Sequence, residues 1–371
     1  SFKNVLNYEF SENGNQLIFS TKQEKKDSLD QTKYGVYLLN TKTFIEKQLV
    51  DTIGDFKQFA FDEHSNKVAF VGTTDEEKKT NKTYHFYLTT TTNKENSKKI
   101  EFTGLKEDWV ISEHRQPKFS QDGKFIFLGV APKLAEKDTT LIAEDFAKVD
   151  IWSYKDEFIQ PQQLKNLERE QKRSYLAVID VDNPTNLLQL GDLDMNNVEL
   201  LNEGNSPFAL GISDNAYRLS STWDLTRRRD YYLIDIRSGE RKLVFQGLSG
   251  KMEVSPNGKY LVYYNAENGL WSSYSIATQE TKVLNKKIKT MFFDEENDSP
   301  IFAQPYGIAY FTEDDKTVLI NDRYDIWEFD LEGNQRPKNV TNGYGRKNKI
   351  TFNLPKLNEE VKTIVRETPI Y

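Results

Sequence analysis

Acidic side chains gather in this chain as Asp75 with Glu76 and Glu77, Asp156 with Glu157, Asp294 with Glu295 and Glu296, and Asp314 with Asp315. Two carboxylates flanking a glycosidic bond can divide the work of proton donor and base or nucleophile, so a carbohydrate-active protein is one reading. In a chain of net charge −7 the same clusters also read as solvated loops. No turn matches the S-x-D-x-G-x-x-W box of sialidases: Phe119 to Leu128 has Asp and Gly adjacent and no Trp after them. Acyl transfer of the α/β-hydrolase kind needs a Ser in G-x-S-x-G on a strained turn, with Asp and His following. The chain does not contain that pattern, and its nearest fragment, "GLSGK" from Gly247, is expected in an inter-strand loop. No catalytic residue is therefore assigned. His64, His85 and His114 share no metal-ligand spacing, and neither H-E-x-x-H nor a Cys pair occurs. "GYGRKNK" from Gly343 lacks the glycine spacing of a phosphate loop. Neither a metal nor another cofactor is expected.

The elements that position these residues repeat. "FSENGNQLIFS" from Phe10, "FDEHSNKVAFV" from Phe61, "FSQDGKFIFLG" from Phe119, "VSPNGKYLVYY" from Val254 and "FTEDDKTVLIN" from Phe311 share one grammar. Each sets an apolar residue, then Ser, Asp or Thr, then polar turn formers, then a mostly apolar run, which predicts strand, tight turn, strand. His64 stands where other copies have Asn or Asp and reads as a turn residue. A second phrase, such as "YGVYLLNTKTF" from Tyr34 or "YDIWEFDLEGN" from Tyr324, predicts a third strand that turns into a fourth. Marks at Asn13, His64, Asp122, Asn257 and Asp314 fall 51, 58, 135 and 57 residues apart. The long gap holds a degenerate copy, "LGISDNAYRLSSTW" from Leu210, and the strands of "SYLAVIDVDNPTNLLQL". A four-stranded unit of this length cannot bury its faces alone and must stack on its neighbours. The expected fold is an all-β β-propeller of about seven blades, with six to eight compatible. A β-sandwich also uses short alternating strands but does not repeat a phrase at this spacing.

One stretch breaks the pattern. "KVDIWSYKDEFIQPQQLKNLEREQK" from Lys148 to Lys172 is charged and Gln-rich, with Pro161 placed to open a helix. It predicts a partly helical insertion over 148–173, helical near 155–173, in a single propeller domain over 1–371. Both chain ends read as mid-strand boundaries, so a blade is expected to be closed by sequence beyond them. The 13% aromatic content favours strands, and the acidic balance lacks the basic footprint of a nucleic-acid partner. No apolar run reaches the roughly 18 residues of a membrane span. The chain starts at Ser1, which is compatible with a removed signal peptide, and the absence of Cys excludes disulfides and thiol catalysis.

With the repeats laid out, the chain resembles the propeller domain of serine peptidases of the prolyl oligopeptidase and dipeptidyl peptidase class, especially their large secreted bacterial members. The likeness is carried by "VDIWSYKDEFIQPQQLKNLEREQKRSYLAV" from Val149, "RDYYLIDIRSGERKLV" from Arg229 and "YGIAYFTEDDKTVLINDRYDIWEFDLEGNQRPKNVTNGYGRKNKITF" from Tyr306. The opening phrases are shared with TolB-like propellers. The resemblance implies a noncatalytic portion of a peptidase, exported to the periplasm or beyond, whose parent carries a C-terminal α/β-hydrolase domain that this chain lacks. It implies that the propeller gates peptide substrates. In the dipeptidyl peptidase branch two acids on an inserted helix bind the substrate's amino terminus, a task carboxylates suit through charge-assisted hydrogen bonds. Asp156 and Glu157 are the residues near such an insertion, and they depart from the family's double Glu. The alternative is a stand-alone TolB-like propeller that binds a protein or glycan.

Overall fold

The computed structural model describes residues 4–22, 34–76, 79, 81–92, 97–135, 149–355 and 363–365. Ser1, Glu77, Lys148 and the terminal "RETPIY" lie outside the described residues. The chain divides into two compact units, Ser1–Gly211 with Leu233–Lys242, and Ile212–Tyr232 with Leu243–Tyr371.

The first unit opens with β1 (Val5–Phe10), β2 (Gln16–Thr21), β3 (Gly35–Asn40) and β4 (Glu46–Val50), an antiparallel meander in chain order. A second meander follows: β5 (Asp55–Phe61), β6 (Lys67–Thr73), β7 (His85–Thr90) and β8 (Lys98–Ile100). The third joins β10 (Lys118–Phe119), β11 (Phe125–Pro132), β12 (Tyr175–Asp180) and β13 (Leu187–Gln189), with β9 (Trp109–Ile111) on the far end of β11. Helix α1 (Gln160–Gln171) stands between β11 and β12. Next come β14 (Asn197–Leu200), β15 (Phe208–Ser213), β16 (Arg228–Asp235) and β17 (Arg241–Val254), the stretch through which the division into units runs. The degenerate copy here lacks the tight turn, because two single turns of 3-10 helix, Asn215–Tyr217 and Ser220–Thr222, follow β15 instead.

In the second unit β17 continues into β18 (Tyr260–Asn265), β19 (Leu270–Ser275) and β20 (Thr281–Val283). A further sheet has β21 (Ile308–Thr312), β22 (Thr317–Asn321), β23 (Ile326–Asp330) and β24 (Lys338–Asn339), with β25 (Thr363–Ile364) parallel to β21. Helix α2 (Tyr344–Asn348) follows β24.

The apolar runs are continuous because both faces of a sheet are covered. On β6, Val68 and Phe70 point into a core with Ile18, Val36 and Leu38 of the first meander. The intervening Ala69 and Val71 pack with Ile126, Leu128 and Ala177 of the third. This is the two-residue period of a strand used twice. Phe70 is fully buried and stacks on Tyr87 at 5.0 Å, a burial worth roughly 2–3 kcal/mol. In the second unit Val262, Tyr264 and Trp271 pack likewise against Phe311, Val318 and Phe329. Four-stranded meanders that bury each face on the next sheet are propeller blades, and the architecture is an all-β propeller.

The repeated phrase is one turn built five times. Its second residue accepts the backbone N–H five positions on: Gln16 to Ser11 Oγ at 2.9 Å, Lys67 to Asp62 Oδ1 at 2.6 Å, Phe125 to Ser120 Oγ at 3.0 Å, Tyr260 to Ser255 Oγ at 2.9 Å and Thr317 to Thr312 Oγ1 at 3.0 Å. The residue three after it takes positive φ, which Gly14, Gly123 and Gly258 do freely and Ser65 and Asp315 do at a cost of roughly 1–2 kcal/mol each. His64 is the exposed turn residue beside Ser65.

Candidate functional site

Pro161 sits in the first turn of α1, and Ile159, which precedes the helix, offers no side-chain cap. None of the residues of α1 is buried; Glu168 pairs with Lys172, and Glu170 with Arg169 and Arg173. The helix is therefore held by local charge pairs rather than by a core, as its alternating charges predict. Asp156 and Glu157 lie on the turn ahead of it, the first half-buried and the second exposed. Asp156 Oδ2 accepts Gln163 Nε2 at 3.4 Å, and its backbone N–H donates to Ser153 O at 3.2 Å. Both acids precede the first helical turn, outside the span where the helix dipole acts most strongly. On the same stretch Val149, Ile151, Trp152 and Tyr154 are exposed, Tyr154 to 86%. At its foot the half-buried Arg115 donates from Nε and Nη2 to Ser174 Oγ and O at 3.1 and 3.2 Å, and burial lowers its pKa.

The other acidic clusters are engaged in structural contacts, some within their own loops and some across the chain. Asp75 accepts Lys79 Nζ and the Thr83 N–H. Asp314 accepts Thr312 Oγ1 at 2.9 Å and pairs with Lys316, whose bond comes first among the causes that hold its carboxyl well below the usual range. Asp315 is buried and accepts Ser255 Oγ at 2.6 Å, so it joins the turn of the β21–β22 blade to that of the β17–β18 blade. Glu295 and Glu296 pair with Arg346 and Arg323 at 2.9 and 2.6 Å.

These last contacts belong to the most closely knit polar group in the second unit. Asp322 accepts Trp327 Nε1 at 2.7 Å and Arg346 Nη2 at 3.2 Å. Asp325 accepts Thr341 Oγ1 at 2.6 Å and the N–H groups of Gly345 and Arg346 at 2.8 and 3.1 Å. Burial pushes the Asp325 pKa up, but those hydrogen bonds outweigh it and hold the carboxyl below its ordinary value. A side chain at position 345 would meet Tyr324 O at 2.6 Å, which explains the second glycine of "GYGRKNK". Beside this group is a cavity of about 350 Å³ lined by Asp322, Trp327, Asn339, Arg346 and others. The fragment is thus a latch rather than a phosphate loop.

In the first unit, Asp55, Lys57, Glu113 and Tyr84 form another closed group: Tyr84 Oη donates to Asp55 at 2.6 Å and Lys57 pairs with both acids. Burial and the Asp55 carboxylate push the Tyr84 pKa strongly up. His85 is half-buried, and burial lowers its pKa. Among the described residues no three His, Cys, Asp or Glu side chains converge as metal ligands. "GLSGK" is not in a loop as expected but inside β17, where Ser249 O accepts the Ala266 N–H. The strand Arg241–Val254 runs through both glycines, and its second half pairs with β18 from Gly250 to Val254.

Sequence reasoning passed over Arg227 and Arg229. They line a second cavity of about 290 Å³ together with Leu248, Ser249, Ile301 and Phe302. The signal was present in "TRRRDYY", where three consecutive arginines stand at the entry to β16.

No protein-family model and no curated protein sequence matches the chain. Among solved structures it is similar to dipeptidyl peptidase 4 of Porphyromonas gingivalis, 14% identical with a TM-score of 0.46, over 91% of this chain and 46% of that one. It is similar to TolB of Acinetobacter baumannii, 13% identical with a TM-score of 0.29, over 82% of this chain and 59% of that one. Prolyl oligopeptidase B of Galerina marginata is 10% identical with a TM-score of 0.35, over 90% of this chain and 42% of that one. The chain thus spans less than two thirds of each of these proteins. Among the described residues no helix is long and apolar enough to cross a membrane.

Proposed function

We propose that this chain is the noncatalytic propeller domain, one domain over 1–371, of a secreted serine peptidase of the prolyl oligopeptidase class, and that it gates peptides toward a C-terminal α/β-hydrolase domain of the parent protein. The observation that carries the reading is the long phrase from Tyr306 to Phe352, whose Asp322, Asp325, Gly345 and Arg346 all act in one latch. The part of the chain that most resembles that class is thus also a closely bonded structural unit here. In this reading Asp156 and Glu157 receive the ammonium of a peptide, for which their place on a helical insertion between β11 and β12 is suited. The purified chain is expected to leave proline-containing dipeptide and tripeptide chromogenic substrates intact, and turnover by it alone overturns the noncatalytic assignment. Reading the gene in frame past the codon for Tyr371 should show G-x-S-x-G, then Asp and His. A stop codon there favours the second reading, a stand-alone TolB-like binding scaffold. That reading is supported by the exposed apolar side chains of Val149, Ile151, Trp152 and Tyr154, which a partner recovered by pull-down would cover.

A further inference from the structure

The cavity at the start of β16 holds cations that the fold does not answer. Arg228 turns away from it and pairs with Glu267. Arg227 and Arg229, both exposed, point into it and have no acidic partner among the described residues. The neighbouring carboxylates are engaged elsewhere: Asp224 accepts the Thr226 N–H at 2.8 Å, and Asp230 accepts Tyr217 Oη at 2.6 Å and the Gly247 N–H at 2.7 Å. Arg227 stands just before β16 and Arg229 is the second residue of that strand, so two like charges two positions apart border one cavity and repel. In a chain with 57 acids against 50 Lys and Arg, that arrangement is not a shortage of acids.

The rest of the wall is apolar. Leu248 is buried, while Ile301 and Phe302 border the cavity with Phe302 38% exposed. Ser249 and Gln304 add hydrogen-bonding groups. Gly250 also lines the cavity, at φ 141°, and a Cβ there would meet the Tyr264 carbonyl oxygen of β18 at 2.0 Å, so the position is held to glycine by the neighbouring strand. A volume of about 290 Å³ is at the small end of ligand sites and suits a group the size of one or two amino acids.

We propose that this cavity binds a free carboxylate carrying an apolar side group, with Arg227 and Arg229 as the carboxylate clamp and Leu248, Ile301 and Phe302 as the apolar wall. The arginine fork matches a carboxylate in two parallel hydrogen bonds, and a second arginine takes up charge that one leaves uncompensated. The ligand can be the C-terminus of a peptide or a free organic acid, and the site is independent of whether a hydrolase domain follows.

Titration calorimetry on the intact chain separates the outcomes. Peptides ending in Leu or Phe with a free carboxylate, the same peptides as C-terminal amides, and N-acetyl-leucine are compared, with inorganic phosphate as the bare-anion probe. The free acids are expected to bind at millimolar concentration or tighter, and the amides at least tenfold more weakly. Stronger binding by the peptides than by N-acetyl-leucine makes a chain end the ligand, and equal binding makes it a small acid. The double variant R227Q/R229Q loses binding tenfold or more, whereas R228Q stays within about twofold. Equal affinity for acid and amide overturns the proposal in the unmodified chain, whatever the variants do. So does binding of phosphate as tight as that of the apolar acids, or no binding of any carboxylate.

Discussion

Arg346 and the Arg227/Arg229 pair lie in the same compact unit, each beside a cavity, of about 350 and 290 Å³. Around Arg346 the fold supplies Glu295 and Asp322 from two segments, both paired with Nη2, while the buried Nε has no hydrogen-bond partner among the described residues. Around Arg227 and Arg229 it supplies no acid and turns the nearest ones away. A cation answered inside the fold is part of the scaffold, and its removal strands buried partners. A cation left unanswered beside apolar walls costs the fold little to lose and keeps its hydrogen bonds for something else.

The sharpest break of this contrast is at Asp325. Asp325→Ala removes the acceptor of three donors that close the turn from Thr341 to Arg346. A loss of about 3 kcal/mol or more is expected, since each stranded buried donor costs roughly 1–3 kcal/mol. Denaturant unfolding measures it, and a loss below about 1 kcal/mol would show that the latch is not structural.

The same group gives the comparison a pH axis. Because the folded state holds the Asp325 carboxyl below its ordinary value, it binds its proton less readily than the unfolded chain does. Its contribution is fully present above the unfolded pKa near 3.9 and is lost as pH falls through the lower folded value. Melting temperatures from pH 6 downward should therefore drop more steeply for the natural chain than for Asp325→Asn, which starts lower. Parallel curves would remove Asp325 from the acid response.

A smaller effect is expected at Ser255, where a carboxylate of one blade is answered by the turn of another. Ser255→Ala takes away the acceptor of the Tyr260 N–H and the donor to the buried Asp315. Ser11→Ala breaks the equivalent turn, but there the hydroxyl donates to its own neighbour, Asn13, at 2.9 Å. Ser255→Ala should cost about 1–2 kcal/mol and more than Ser11→Ala, because only the first leaves a buried charge short of a donor. Equal costs would mean that the Asp315 link adds nothing to the turn.

The five turns were legible because their chemistry is local: a Ser, Asp or Thr and the N–H it bonds stand five residues apart in the chain. The inserted helix was legible for the same reason, with Pro161 at its start and charge pairs along it. The latch was visible only as an unusually specific phrase, since Glu295 reaches Arg346 across 51 residues. "GLSGK" misled because paired glycines usually mark loops, whereas here Gly250 stays in β17 opposite Asn265 and packs against the Tyr264 carbonyl. The second cavity was hidden most deeply: its arginines stand two residues apart in sequence, but Leu248 and Phe302 arrive from segments whose meeting no local pattern encodes.

The smallest effect predicted is also the most discriminating. R227Q/R229Q should change stability by no more than about 0.5 kcal/mol, the range of exposed positions without structural partners. At low ionic strength the sign should be stabilising, because the substitution removes a like-charge pair, and the gain should fade as added salt shortens the screening length toward about 8 Å. R346Q in the same unit should instead destabilise at every salt concentration, leaving the buried Asp322 without its cation. If the double variant unfolds as readily as R346Q, the two cavities are alike and Arg227 and Arg229 belong to the scaffold. If it holds its stability while losing carboxylate binding, the difference between the two sets of arginines is the difference between holding the blades together and holding a ligand.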